Sequence, residues 1–207
     1  MNDQVTIALM LTAGTVGALH SLAPDHWVPF AALARARNWT PLRTARLAFL
    51  CAVGHVTVSA LFGVLAVMIG REAVERLGTT LADAAPLILI GFGIAYMLWA
   101  LHHLVTHGGH HHHRRGATEW GLFLLFCADP CVALIPMIVA ASAKGWGAVG
   151  GVIAVYEVAT IAAIVVLAHL AHAGARKLRF AWFDRYGDIV AGAMIVIVGT
   201  LVTVIGI

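Results

Sequence analysis

Six apolar stretches, each long enough to cross a lipid bilayer, limit what this chain can fold into. They cover approximately residues 5–33, 44–70, 83–105, 118–141, 147–173 and 187–207. Only 11% of the residues are charged, against about 25% in a soluble domain. The apolar runs are continuous and not alternating, which favours membrane helices over a β-barrel. We therefore predict an all-α, polytopic membrane protein with six transmembrane helices.

The basic residues predict the orientation of these helices. Ten lysines and arginines fall in the loops after the first, third and fifth spans, and three fall on the opposite side. Because basic loops stay in the cytoplasm, both termini are predicted outside a cytoplasmic (inner) membrane. The same pattern is typical of membrane orientation and not of nucleic-acid binding. The start of the chain lacks a basic region, so no cleavable signal peptide is expected.

The two halves of the chain share a pattern. Residues 23–26 read Ala-Pro-Asp-His and residues 128–131 read Ala-Asp-Pro-Cys, each with a further proline a few residues on. His55 and Glu157 lie at matching depths of the second and fifth spans. Because proline breaks helices, helices 1 and 4 are predicted to be broken. Three spans in each half would give the halves opposite topology, so they are predicted to be inverted repeats, a pattern typical of transporters. The predicted units are a first three-helix repeat (1–105), a His-rich cytoplasmic loop (106–117) and a second three-helix repeat (118–207).

Ionisable side chains in the first half predict a metal site. His20, Asp25 and His26 lie in an apolar span, where each ionisable group costs about 2.5–3.5 kcal/mol even on lenient insertion scales. A regular helix would not bring all three to one point, but a break at Pro24 could. His55 lies about 16 Å into its span at 1.5 Å per residue, near the bilayer centre. Imidazole with carboxylate suits nickel, cobalt, zinc or iron better than calcium or magnesium.

The second half offers four further candidate ligands, Cys127, Asp129, Cys131 and Glu157. Thiolates would favour softer or borderline ions. The two cysteines have an alternative role as small apolar packing residues. Because Cys51 also lies in an apolar stretch, a disulfide framework is not expected.

A run of histidines separates the halves. A flexible loop of imidazoles would bind divalent transition metals loosely and so capture them, although a solvated linker with no role is the alternative. The candidates for loop metal capture are His102, His103, His107, His110, His111, His112 and His113.

At these residues the chain resembles the nickel/cobalt transporters of the NiCoT and NicO families, within the LysE-type transporter superfamily. The resemblance rests on H-x4-D-H at 20–26 and on Gly54-His55 followed by Thr57 and Ser59. It implies that His20, Asp25, His26 and His55 select and pass the metal.

The resemblance also implies a function and a direction. The His-rich loop is similar to that of the efflux branch, and the acidic motif of uptake permeases has no good counterpart here. We therefore expect efflux of nickel or cobalt, with zinc and iron as other possible cargo. Neither enzymatic activity nor a prosthetic group is expected, and the partners are the metal ion and the lipid bilayer, without nucleic acid.

Two alternatives stay open at this point. Pro130-Cys131 is similar to the Pro-Cys sites of thiol-disulfide redox conductors of the DsbD/CcdA type. Those proteins need a reactive cysteine in each half, whereas Asp25-His26 occupies the first-half position here. The other alternative is a metal-binding accessory protein for metalloenzyme maturation.

Overall fold

The computed structural model describes residues 2–107, 115–177 and 183–205, which form helices and connecting turns without strands. The all-α prediction is therefore confirmed for this part of the chain. The helices are α1 (Asn2–His20), α2 (Val28–Ala36), α3 (Pro41–Ile69), α4 (Arg71–His107), α5 (Arg115–Cys127), α6 (Leu134–Ser142), α7 (Trp146–Lys177) and α8 (Phe183–Ile205), with a 3-10 turn at Pro24–His26.

Four of the described helices, α3, α4, α7 and α8, contain a segment that is long and apolar enough to cross a membrane. Gln4–His20 is a shorter apolar helix. Large apolar side chains such as Leu61, Val158 and Val204 are exposed on the outer surface. An apolar exterior of this kind suits contact with lipid, so the protein is a helical membrane protein.

The first predicted span is interrupted where Pro24 occurs. α1 ends at His20, and the next amides form short turn bonds, such as Ala23 N–H to the His20 carbonyl (3.1 Å). Proline lacks the N–H that a continuing helix requires, so the chain passes through the 3-10 turn. α2 then begins at Val28, with Pro29 in its first turn, where a missing N–H costs nothing.

The fourth predicted span is interrupted in the same way. α5 ends at Cys127 and α6 begins at Leu134, so residues 128–133, which include Pro130, are not helical. Each interruption therefore creates helix ends, whose terminal backbone groups need partners other than those of a continuous helix.

The helices pack around these interruptions. α4 lies along α8, α1 lies along α7, α3 contacts α7, and α2 packs against both α7 and α8. One apolar cluster includes Phe30, Leu33 and Leu122, and a second includes Leu134 and Tyr156. Because α2 packs against the second half of the chain, the first interruption is held in the interior.

Candidate metal-ion site

Three histidines meet at the first interruption. His20 is the last residue of α1, His26 ends the 3-10 turn, and His55 lies in the middle of α3. Their candidate ligand nitrogens all lie within 4.8 Å of one another. The ring centroids are 4.5 Å apart for His20 and His26, and 5.2 Å apart for His26 and His55. We call this group the His cluster.

The His cluster is buried and has unused nitrogen atoms. His26 and His55 are 2% and 1% exposed. The Nε2 atoms of His20, His26 and His55 are all buried without a hydrogen-bond partner. Leaving one buried polar atom unsatisfied costs about 1–3 kcal/mol, so three such atoms at one point call for a ligand that satisfies them together.

Hydrogen bonds assign the ring protons of two of these histidines. His26 Nδ1 lies 2.9 Å from Asp25 Oδ1, and His55 Nδ1 lies 3.4 Å from the carbonyl oxygen of Phe126 in the last turn of α5. Carboxylate and carbonyl oxygens accept, so each Nδ1 carries the hydrogen and each neutral ring has its lone pair on Nε2. Metal-binding histidines are typically held by this type of outer partner.

Two carboxylates lie beside the His cluster. Asp25 and Asp129 line one cavity together with His26, and its apolar wall includes Pro86 and Leu89 of α4. Asp25 does not belong to the closest group of ligand atoms. Its contact with His26 instead places it to orient that ring and to supply negative charge. Asp129 brings a carboxylate of the second half to the same cavity.

The two second-half thiols lie elsewhere. A Cβ atom at Gly54 would be 2.7 Å from Cys127 Sγ, so this thiol packs against α3. Cys131 Sγ lies 2.6 Å from Tyr156 Oη, and the sulfur is buried. All three cysteines of the chain are free. Among the described residues, neither Cys127 nor Cys131 belongs to the His cluster.

The remaining candidates are also separate from the His cluster. Glu157 is partly buried on α7. His102 and His103 lie on the last turns of α4, where the ring centroids of His103 and Trp99 are 5.6 Å apart. His107 ends α4, and His110–His113 lie outside the described residues. Capture of metal by these histidines stays a prediction.

Sequence reasoning assigned no role to the residues that hold the site in place, although it noted Ser59 in the motif after His55. Ser59 donates a hydrogen bond to the His55 carbonyl (2.8 Å) and accepts one from the Cys131 amide (2.8 Å). Phe126 packs against both His26 and His55, with centroids 6.2 and 6.4 Å apart. The position of Ser59, four residues after His55 and on the same helix face, is the signal that points to it.

Comparisons with known proteins identify no relative. No protein-family model matches the chain, and neither a curated protein nor a solved structure matches it. The functional assignment therefore depends on the chemistry of the His cluster and its surroundings.

Proposed function

We propose that this protein is a membrane transporter of divalent transition-metal ions, with nickel and cobalt as its main cargo, and that it exports them across the cytoplasmic membrane. The observation that carries the proposal is a set of three buried histidines inside an apolar helical bundle, whose candidate ligand nitrogens lie within 4.8 Å of one another and whose Nε2 atoms have no hydrogen-bond partner. Ionisable groups at such a position are costly, and they typically mark an ion pathway.

The donor set defines the cargo. Three imidazole nitrogens suit nickel, cobalt and zinc, whereas magnesium and calcium prefer shells of oxygen. The thiols of Cys127 and Cys131 lie outside the His cluster, which disfavours soft ions such as Cu(I). Asp25 and Asp129 at the adjoining cavity would offset the charge of a divalent ion in a medium of low dielectric constant.

The proposed architecture is six spans in two inverted halves. The interrupted pairs α1/α2 and α5/α6 would be the equivalent first spans. Gly93 of α4 and Gly192 of α8 support this, because a Cβ on either one would lie 2.9 Å from the carbonyl oxygen of the other. The next contacts are also reciprocal, Gly93 with Val196 and Gly192 with Met97. A twofold axis between the two glycines would exchange these contacts, as inverted repeats require.

Orientation and direction follow from the loops. The excess of basic residues in the loops after the first, third and fifth spans supports a cytoplasmic position for these loops. The His-rich loop would then bind metal on the side where it is in excess, which fits export. Loose binding there would raise the local concentration of ions without retaining them.

Radiometal flux in proteoliposomes tests the proposal, with nickel, cobalt, zinc and iron compared side by side. Flux should be saturable and should fall to background in His26→Ala. The matched control is His169→Ala, which removes an exposed imidazole of α7 away from the His cluster. Equal flux in wild type, both variants and empty liposomes would contradict transport by this site.

A further inference from the structure

One buried arginine lies at the end of α2 and contacts two other helices. Arg37 Nε donates to Tyr96 Oη of α4 at 2.8 Å, and Tyr96 donates to Asp188 Oδ1 of α8 at 2.5 Å. The Arg37 and Asp188 side chains are 5% and 11% exposed, and Arg37 Nε lies 3.7 Å from Asp188 Oδ1. Basic loop residues can orient membrane helices while they remain exposed to water. Membrane orientation therefore does not explain why this guanidinium is buried.

Aromatic rings complete the surroundings of this arginine. The guanidinium carbon lies 5.2 Å from the Tyr96 ring centroid and 5.5 Å from that of Trp99. A second arginine, Arg43 in the first turn of α3, forms a salt bridge with Glu119 of α5. The linker between α2 and α3 is thus fastened to the second half of the chain at both of its ends.

α2 connects this ion pair to the His cluster. Arg37 lies eleven positions after His26, about 16 Å along the axis of a continuous helix. All residues from Val28 to Ala34 are buried. A short helix packed on every side moves as a unit, so displacement of Arg37 would be transmitted to His26.

The His cluster has different surroundings on its two sides. Toward Arg37 the interior is apolar and closely packed, with Phe30 and Leu33 of α2 fully buried. The cavity of Asp25 and Asp129 instead lies against Pro86 and Leu89 in the first half of α4. The side of the His cluster toward Arg37, which is the cytoplasmic side in the proposed orientation, is therefore the closed side.

We propose that Arg37, Tyr96 and Asp188 form a latch that holds the cytoplasmic entrance to the His cluster closed. This inference rests on the proposed transport function. Release of the Arg37–Asp188 pair would free the end of α2 and open a route for ions between α2, α4 and α8. Because the latch joins the two halves, it couples entry of the ion to their relative movement.

A native thiol can report on this opening. Cys51 is 1% exposed and lies one turn of α3 closer to the latch than His55. A membrane-impermeant maleimide would be added to inside-out vesicles of the full-length protein without metal. Mass spectrometry would then measure the labelling rate of Cys51 in wild type, Asp188→Asn and Tyr96→Phe.

Asp188→Asn should label Cys51 about tenfold faster than wild type or more, because it leaves a buried guanidinium without its counter-charge. Tyr96→Phe keeps the ring and should give a smaller increase, and it decides the question if Asp188→Asn does not fold. The control Asp83→Asn removes an exposed carboxylate in the first half of α4, whereas Tyr96 lies in the second half. Its Cys51 should be labelled as slowly as in wild type. Unchanged Cys51 labelling in a folded latch variant would overturn the proposal.

The labelling result is independent of the transport result. Loss of flux in His26→Ala together with slow Cys51 labelling in folded Asp188→Asn and Tyr96→Phe would support the site and overturn the latch. Faster labelling in Asp188→Asn combined with no flux in wild type would retain the latch and contradict the transporter assignment.

Discussion

The two interruptions of the bundle use the same backbone device for different chemistry. The first, around Pro24, brings His20 and His26 to His55 and leaves three nitrogen atoms unpartnered. At the second, around Pro130, the Cys131 thiol lies against Tyr156 and the Cys131 amide donates a hydrogen bond to Ser59. The first interruption therefore has side-chain atoms available for an ion, whereas the thiol and amide of Cys131 at the second are used within the protein. A proline break brings side chains together, and their neighbours decide whether their polar atoms remain available.

The largest effect is expected at the first interruption. The double variant Asp25→Asn, His26→Ala removes one imidazole and the carboxylate that orients it, so metal transport should fall to background while the protein remains folded in the membrane. Radiometal flux and the elution profile of the purified protein measure the two properties. Full transport by this variant would show that the His cluster is not on the ion path.

A smaller effect is expected when only the orienting carboxylate is removed. Asp25→Asn should weaken metal binding about 10- to 100-fold, the usual cost of losing an outer partner of a ligand. Equilibrium nickel binding to the purified protein measures this change. An unchanged affinity would mean that the contact between Asp25 and His26 does not prepare the ring for a metal.

The second interruption should tolerate loss of its thiols. A variant with Cys51, Cys127 and Cys131 all replaced by alanine should keep at least partial metal flux, because the His cluster contains no sulfur. The same proteoliposome assay compares it with wild type. Complete loss of flux, together with electron transfer by the wild type, would favour the thiol-redox alternative.

The smallest effect is expected outside both interruptions. Deletion of residues 107–113 removes five of the seven histidines proposed to collect metal but leaves the His cluster intact. Transport should weaken at low cytoplasmic metal and approach the normal rate at saturation. A complete loss of flux in stable protein would contradict this separation of roles, and greater metal accumulation in cells that carry the wild-type protein would contradict export.

Much of the site could be predicted from the sequence because its signals are local. Pro24 marks the interruption, and the cost of placing His20, Asp25 and His26 in an apolar span indicates them as candidate site residues. Apolar length also located α3, α7 and α8 closely. α4 begins at Arg71, earlier than the predicted span, because hydropathy reveals the apolar part of a helix and not its polar extension.

The rest depends on contacts between distant parts of the chain. Composition could not distinguish Asp25 as a partner of His26 from Asp25 as a direct ligand, since that depends on side-chain rotamers. The sequence made Cys131 a candidate ligand, and it could not reveal the contact of this thiol with Tyr156. The Arg37–Asp188 pair joins residues 151 positions apart in the sequence, and no local pattern indicates such a contact.

X-ray absorption spectroscopy of the nickel-loaded, purified protein tests the central comparison most directly. It reports which atoms surround the ion, and so which interruption binds it. We predict a shell with about three imidazole nitrogens and no sulfur, which loses imidazole scattering in His55→Ala. A shell with sulfur, or one unchanged in His55→Ala, would place the ion away from the His cluster and contradict the account.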